Sequence, residues 1–259
     1  MRFSICSCSF HRTAAAGGMD IFSYIDWNKQ HGFSQLDPWM KHIELGYDDD
    51  AYIAKVKVAG DAAGLPFGCV AVDGGHIYEP TAEKRAANRQ VAKRWIDICQ
   101  QLGAAQVRID AGGREETLEE IFDIVVEGYN ELVPYARERG VEVIMENHWG
   151  PTKHPDNTVK VLDAVDGLGL LFDSNNWAEG TQEYAWKKCA SYARLTHMKT
   201  FEFDAAGNDP TVDIAKCMNI LRDTGYDGVW GIESCPREIS EAEGAEKTLA
   251  LMKRISADW

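Results

Sequence analysis

No apolar run in this chain approaches the roughly 20 residues that a membrane-spanning helix needs; stretches such as Leu168–Phe172 end after a few residues. A membrane span is therefore excluded as an expectation. The N-terminus begins Met1-Arg2-Phe3-Ser4-Ile5-Cys6 and moves straight into a strand-like segment, with no extended apolar core before a small-residue cleavage site. That pattern argues against a secretory leader and for a cytoplasmic protein. No run of five or six Lys or Arg occurs, and 27 basic against 41 acidic residues leave a formal net charge of -14. Such a surface repels phosphate backbones, so nucleic acid is excluded as a partner. The seven cysteines lack paired spacing, which removes a disulfide framework or a structural zinc knuckle. Cys6 and Cys8 flank Ser7 and would share one face of a strand; they are expected to be free thiols in a reducing compartment. Internal repeats, low-complexity tracts and Pro/Gly-rich linkers are also missing, so residues 1–259 are expected to form one domain.

What remains is a strict alternation. Strand-like runs are expected at Arg2–Cys6, Phe33–Asp37 (stopped by Pro38), Phe67–Val72, Ala105–Ile109, Val141–Met145, Leu168–Phe172, Ala193–Met198 and Val229–Ile232. Helical periodicity lies between and after them, at about Met19–His31, Asp48–Ala62, Thr81–Leu102, Thr117–Arg139, Asn157–Val165, Gln182–Ala190, Thr211–Thr224 and Glu238–Ile255. Several of these carry an N-capping residue such as Thr81 or a terminating glycine such as Gly103. Strands that are continuously apolar are buried on both faces, as in parallel sheets. Eight βα units in a chain of this length predict an α/β fold, a single (β/α)8 TIM barrel, with an open doubly wound sheet as the alternative.

The chemistry gathers at the ends of the late strands. The fifth run ends at Glu146, the sixth at Asp173, the seventh contains His197 and the eighth ends at Glu233. In a closed barrel these positions share one rim, where barrel active sites are built. Any one of them alone reads as a solvated loop residue or a helix cap. Four at consecutive strand ends offer hard oxygens plus an imidazole, a set suited to one divalent ion, Mn, Mg, Co or Zn. Three converging carboxylates would repel one another unless a cation lay between them. His148 and Lys199 each sit two residues beyond a candidate ligand, so strand alternation aims them at the same mouth, as substrate contacts or structural hydrogen-bond partners. Trp39, Trp149 and Trp177 fall just past strand ends, where exposed indoles would stack on a sugar ring or simply pack the rim. Arg108 and Arg237 are candidates to meet a carboxylate or phosphate on a substrate. His11 and His76 are read as ordinary loop residues, and Gly112-Gly113-Arg114 as a weak phosphate-loop candidate.

Four stretches carry a resemblance: Val143-Ile144-Met145-Glu146-Asn147-His148-Trp149-Gly150, Leu170-Leu171-Phe172-Asp173-Ser174-Asn175-Asn176, Thr196-His197-Met198-Lys199, and Gly225-Tyr226-Asp227-Gly228-Val229-Trp230-Gly231-Ile232-Glu233. They resemble the xylose-isomerase-like barrel superfamily, which includes sugar isomerases and epimerases and the endonuclease IV relatives. The resemblance implies that Glu146, Asp173, His197 and Glu233 bind the metal. It further implies that Glu146 and Glu233 are the catalytic acid/base pair moving protons on a ketose through a metal-stabilised enediolate. A small carbohydrate substrate and a homo-oligomer follow from the same resemblance. Two departures stand out. Where endonuclease IV relatives carry an Asp-x-His after the seventh strand, this chain reads Lys199-Thr200-Phe201-Glu202-Phe203-Asp204. Three residues after Asp173, where those relatives and many epimerases have His, it has Asn176, a further candidate substrate contact. A trinuclear phosphodiesterase site is therefore incomplete. Isomerase or epimerase chemistry leads, a lyase, dehydratase or hydratase on a keto-sugar or inosose is the alternative, and a non-catalytic sugar-binding barrel comes last.

Overall fold

The computed structural model describes residues 1–259. The apolar runs form seven parallel strands: β1 (Phe3–Ile5), β2 (Cys69–Val72), β3 (Gln106–Ile109), β4 (Glu142–Glu146), β5 (Gly169–Asp173), β6 (Ala193–Thr200) and β7 (Trp230–Ser234). Their order is β1-β7-β6-β5-β4-β3-β2, so first and last strands in the chain are neighbours. The remaining gap, between β1 and β2, is spanned by residues 36–39. Leu36 bridges to Phe67, Asp37 to Cys6, and Trp39 to Ala71. The result is a closed (β/α)8 barrel whose second strand is reduced to isolated bridges.

That reduction corrects the expected strand Phe33–Asp37, and proline supplies the reason. Pro38 has no N–H to donate, so a regular ladder cannot run through it. Its carbonyl still accepts from the Ala71 amide at 2.9 Å, while Gly68 donates to the Leu36 carbonyl at 2.8 Å and Ser7 to the Asp37 carbonyl at 3.0 Å. The helices follow their sequence signals closely. Ile21–His31 starts from an Asp20 capping box, Ala82–Leu102 from Thr81 and ends at Gly103 with φ 69°, and Leu118–Arg137 from Thr117. Three short helical turns, Ser7–Phe10, His11–Ala15 and Met40–Ile43, fill loops where no helix was expected.

Two apolar layers hold the barrel. A cluster of 60 buried residues packs strands against the surrounding helices. A second, inner cluster consists of Cys69, Ile144, Leu171, Leu195 and Val229, one from each of several strands. Side chains on a strand alternate faces with a period of two. Two residues beyond Ile144, Leu171 and Leu195 lie Glu146, Asp173 and His197, and four beyond Val229 lies Glu233. The apolar plug therefore dictates which side chains rise above it into the mouth.

Closure at the weak second strand depends on Tyr24. Its buried hydroxyl donates to the Ile5 carbonyl at 2.6 Å and accepts from the Asp37 amide at 3.0 Å. Tyr24→Phe strands both backbone groups without water, and we expect a loss of about 1–3 kcal/mol in urea unfolding; an unchanged midpoint would show that the joint is not held there.

Candidate metal centre

Glu146, Asp173, His197 and Glu233 each present a ligand atom, and these atoms all lie within 4.8 Å of one another. The first three are almost fully buried. Backbone hydrogen bonds set Asp173 in place: its Oδ1 accepts from the amides of Asn175 at 2.7 Å and Asn176 at 2.9 Å. Asn147, which sequence reasoning passed over, ties the ends of β4 and β5 together. Its side chain donates to the Asp173 carbonyl at 3.0 Å and accepts from the Asp173 amide at 2.9 Å.

His197 Nδ1 lies 3.1 Å from Glu233 Oε2 and 3.5 Å from Glu146 Oε1. Both separations are within ion-pair range, yet neither has the direction of a hydrogen bond, and the buried Nδ1 is left without a partner. A buried ring nitrogen set among three carboxylates fits, once deprotonated, a divalent cation bound by Glu146, Asp173, His197 and Glu233. Cationic side chains also meet this negative charge. Lys199 Nζ sits 3.0 Å from Glu233 Oε2, 3.5 Å from Asp173 Oδ2 and 3.1 Å from Asn176 Oδ1. Asn176 in turn donates to Glu146 Oε1 at 3.2 Å. His148 and Lys199 therefore reach the mouth, and Asn176 links Glu146 to Lys199.

The pKa shifts follow from burial set against these partners. Burial pushes Asp173 up, to about 6, with Lys199 opposing and the neighbouring glutamates adding to the rise. Burial also opposes ionisation of Glu233, but Lys199 and His197 outweigh it and hold the carboxyl well below its usual range. For Glu146, His148 and Arg108 outweigh burial in the same direction. Burial depresses His197, yet its contacts with Cys6, Glu146 and Glu233 raise it well above the usual imidazole value.

A second cluster adjoins the first. Asp110, Glu146 and His148 also have ligand atoms within 4.8 Å, but a guanidinium already fills that space. Arg108 contacts Asp110 Oδ2 at 2.9 Å, Asp73 Oδ1 at 2.9 Å, Glu146 Oε2 at 3.2 Å and the Val72 carbonyl at 3.0 Å. Its two terminal nitrogens meet the protein's own oxygens, while its Nε faces Glu146 without a hydrogen bond, and the side chain lines the cavity over the cluster. His148 Nδ1 is 3.0 Å from Asp110 Oδ2. Burial lowers its pKa, and Glu146 and Asp110 together overcome this to lift it to about 9.

A cavity of about 190 Å³ opens over the cluster, lined by Glu146, His197, Glu233, Arg108, His148 and Trp39, with Cys8, His11, Asp73 and Cys235 completing the wall. A groove of about 340 Å³ lies elsewhere, between the helices Ala82–Leu102 and Leu118–Arg137, with no ligand residue in its lining. Trp39 is held by its indole N–H to Asp73 at 2.5 Å. Trp149 is partly covered, with Arg114 4.8 Å over its ring and the His76 edge against it. Trp177 is buried against Phe172, so it packs the rim and offers no exposed stacking face. Arg237 does not line the cavity; it pairs with Glu202 at 2.9 Å and lies over Phe201. His11, expected in an ordinary loop, does line the mouth. Asp73 and Asp110 follow β2 and β3 directly, so the strand-end rule used for the late strands would have found them.

A family model described as xylose isomerase-like TIM barrel matches residues 25–255. The chain belongs to that family. Among solved structures of the same fold, the IolI protein with a bound zinc atom superposes with a TM-score of 0.81 at 16% identity, covering 100% of this chain and 99% of that one. A D-psicose 3-epimerase with D-tagatose from Clostridium cellulolyticum H10 gives 0.77 at 15%, covering 92% and 94%. The probable 3-DHS dehydratase AsbF of petrobactin synthesis from Bacillus anthracis gives 0.75 at 15%, covering 97% and 99%. No curated protein sequence matches the chain.

Ligands must lose their protons before a cation binds. With Asp173 near 6 and His197 protonated well above its ordinary value, metal affinity is expected to rise as pH increases through about 6 and to keep rising above it. Calorimetry in buffers of different ionisation enthalpy should therefore detect proton release on binding. An affinity flat from about pH 5 to about pH 8 would contradict the assigned ligand set.

Proposed function

We propose that this chain is a metal-dependent isomerase or epimerase acting on a monosaccharide or a related keto-polyol. The observation that carries the reading is the placement of two glutamates, Glu146 and Glu233, in one cluster with Asp173 and His197 at the barrel mouth. The sugar epimerase and the zinc-bearing protein that share the fold support it. A dication held by Glu146, Asp173, His197 and Glu233 would polarise a carbonyl and the hydroxyl beside it, lowering the barrier to loss of the intervening C–H proton.

The protein's own residues then divide the work. Glu146 stands on β4 and Glu233 on β7, with β5 and β6 between them. A small ligand in the cavity meets a carboxylate from each side. Both carboxyls are held ionised by their cationic neighbours, the state a general base requires. Removal of the proton by one glutamate and return by the other on the opposite face inverts a carbon centre; return by the same one to the adjacent carbon moves the carbonyl. Lys199 and His148 supply positive charge beside the oxygens that become more negative. Trp39 gives the cavity one flat apolar wall.

A second reading keeps the site and changes the outcome. His148 is protonated at neutral pH and is fixed by Asp110 beside Glu146, a geometry able to hand a proton to a departing hydroxyl. The same abstraction step then ends in loss of water from a keto-sugar or inosose. The dehydratase of the same fold favours weighing this outcome. Mass spectrometry of the product separates the two: conserved mass for isomerisation, loss of one water for the lyase.

Two measurements test the leading reading. In a screen of keto-sugars in deuterated water, the wild type is expected to incorporate deuterium next to the carbonyl. Glu146→Gln and Glu233→Gln, still folded, should each fall about 10²- to 10⁴-fold. Full exchange in either variant removes that glutamate from the proton pathway. Metal analysis is expected to find one divalent ion per chain, and three would revive the phosphodiesterase alternative.

A further inference from the structure

The four candidate ligands all come from one half of the barrel, β4 to β7. The mouth cavity reaches the other half as well, where Trp39 in the bridging segment and Asp73 after β2 form its wall. The proton-transfer chemistry gives Asp73 no task, and Asp73 belongs to no candidate metal group. Its side chain is 41% exposed and lines the cavity, yet it is fixed from two directions. Oδ1 lies 2.9 Å from Arg108 Nη2, and Oδ2 accepts from the Trp39 indole N–H at 2.5 Å. Arg108 also reaches Glu146 Oε2 at 3.2 Å through its Nε. Asp73 therefore stands one guanidinium away from a candidate ligand, on the opposite side of the mouth.

The hydrogen-bond inventory of this corner selects its ligand. An ionised carboxylate has about four lone-pair sites on its two oxygens. Arg108 and Trp39 occupy one on each oxygen, which leaves about two open on a side chain that the cavity reaches. Two open acceptors on adjoining oxygens match the donors of two neighbouring hydroxyls. Trp39 has already spent its N–H on Asp73, so it offers a ring face, the surface on which the C–H side of a polyol packs. That ring is held rigidly: the Trp39 amide donates to Ser7 Oγ at 2.8 Å, and His42 meets the indole edge-on with centroids 6.1 Å apart. An anionic group brought here faces the Asp73 carboxylate and is repelled. The cavity of about 190 Å³ is also smaller than the roughly 300–1,000 Å³ of drug-sized pockets, which suits one monosaccharide unit.

We propose that Asp73 is a specificity-determining residue: its carboxylate accepts hydrogen bonds from the terminal pair of hydroxyls of a pentose- or hexose-sized keto-polyol, and it rejects substrates that carry a phosphate at that end. The assignment deepens the keto-polyol reading above and rests on it. With the carbonyl and its adjacent hydroxyl at Glu146, Asp173, His197 and Glu233, the remaining carbons cross the mouth to Trp39 and Asp73 on the opposite wall. Their C–H face lies on the indole and their last hydroxyls reach the open acceptors. Asp73 itself takes no proton from carbon; it fixes which end of the sugar meets the ligand cluster, and so which C–H bond the glutamates address.

The test changes protein and sugar together, on the full chain with Mn²⁺ present. D-Fructose and D-tagatose, their 6-deoxy forms and their 6-phosphates are compared in two ways: by solvent deuterium exchange, and by the shift each causes in the Trp39 indole N–H resonance, identified with Trp39→Phe. In the wild type, loss of the terminal hydroxyl should weaken binding and kcat/KM about 10- to 100-fold, and the 6-phosphate should be weaker still. In Asp73→Ala the free sugar should fall by a similar factor while the 6-deoxy form falls no further, so the ratio between them approaches one. A side chain that merely propped up Arg108 and Trp39 would, on removal, slow all the sugars alike and leave that ratio unchanged; this result overturns the proposal. So does a wild type that prefers the 6-phosphate, or no resonance shift with any of these sugars. The expected binding ratios without deuterium exchange uphold the subsite and sink the proton-transfer reading. Exchange with ratios indifferent to Asp73 does the reverse.

Discussion

Electrostatic compensation at the barrel mouth is the constraint around which the rest of this molecule is arranged. Glu146, Asp173 and Asp110 are almost fully buried, and Glu233 and Asp73 stand beside them. Carboxylates taken out of water at such separations raise one another's pKa and destabilise the fold unless positive charge lies between them. Arg108 answers Asp73, Asp110 and Glu146; Lys199 answers Asp173 and Glu233; His197 faces both glutamates. The compensation is uneven. Asp173 is the carboxyl still pushed upward, to about 6, and His197 Nδ1, like Arg108 Nε and Asp110 Oδ1 nearby, is buried without a hydrogen-bond partner. Asp173 and His197 lie in the same cluster, where a further positive charge would relieve the carboxyl.

The same division separates two halves of the mouth. Around Arg108 the carboxylates of Asp73, Asp110 and Glu146 share one guanidinium, so much of that side's charge is balanced within the protein. Around Asp173 and Glu233 the partner is Lys199, a point charge on a flexible stem, together with the Asn176 amide. Glu146 belongs to both halves, held by Arg108 on one oxygen and facing Asn176 and His197 with the other.

Much of this was legible in residue order. The alternation of apolar runs and amphipathic segments reflects a parallel sheet buried on both faces, and each candidate ligand ends or closes such a run. Asp73 and Asp110 obey the same rule at the ends of β2 and β3. The second strand was misjudged for a local reason: Pro38 breaks the ladder, and only tertiary bridges to Cys6, Phe67 and Ala71 show that the barrel still closes there. Trp177 and Arg237 shared with Trp39 a position past a strand end, yet one turned inward onto Phe172 and the other outward to Glu202. Position past a strand does not determine where a loop side chain points.

By itself, the sequence determined the periodicity, and with it the eight βα units and the face of each strand on which Glu146, Asp173 and His197 project. Those properties are local, since alternation within a strand follows from the backbone alone. Only the tertiary structure decided which charges are already neutralised, that Arg108 is shared by three carboxylates, and that Asn147 joins two strand ends. These depend on distances across the closed barrel between segments far apart in the chain, and no spacing along the polypeptide encodes a distance of that kind.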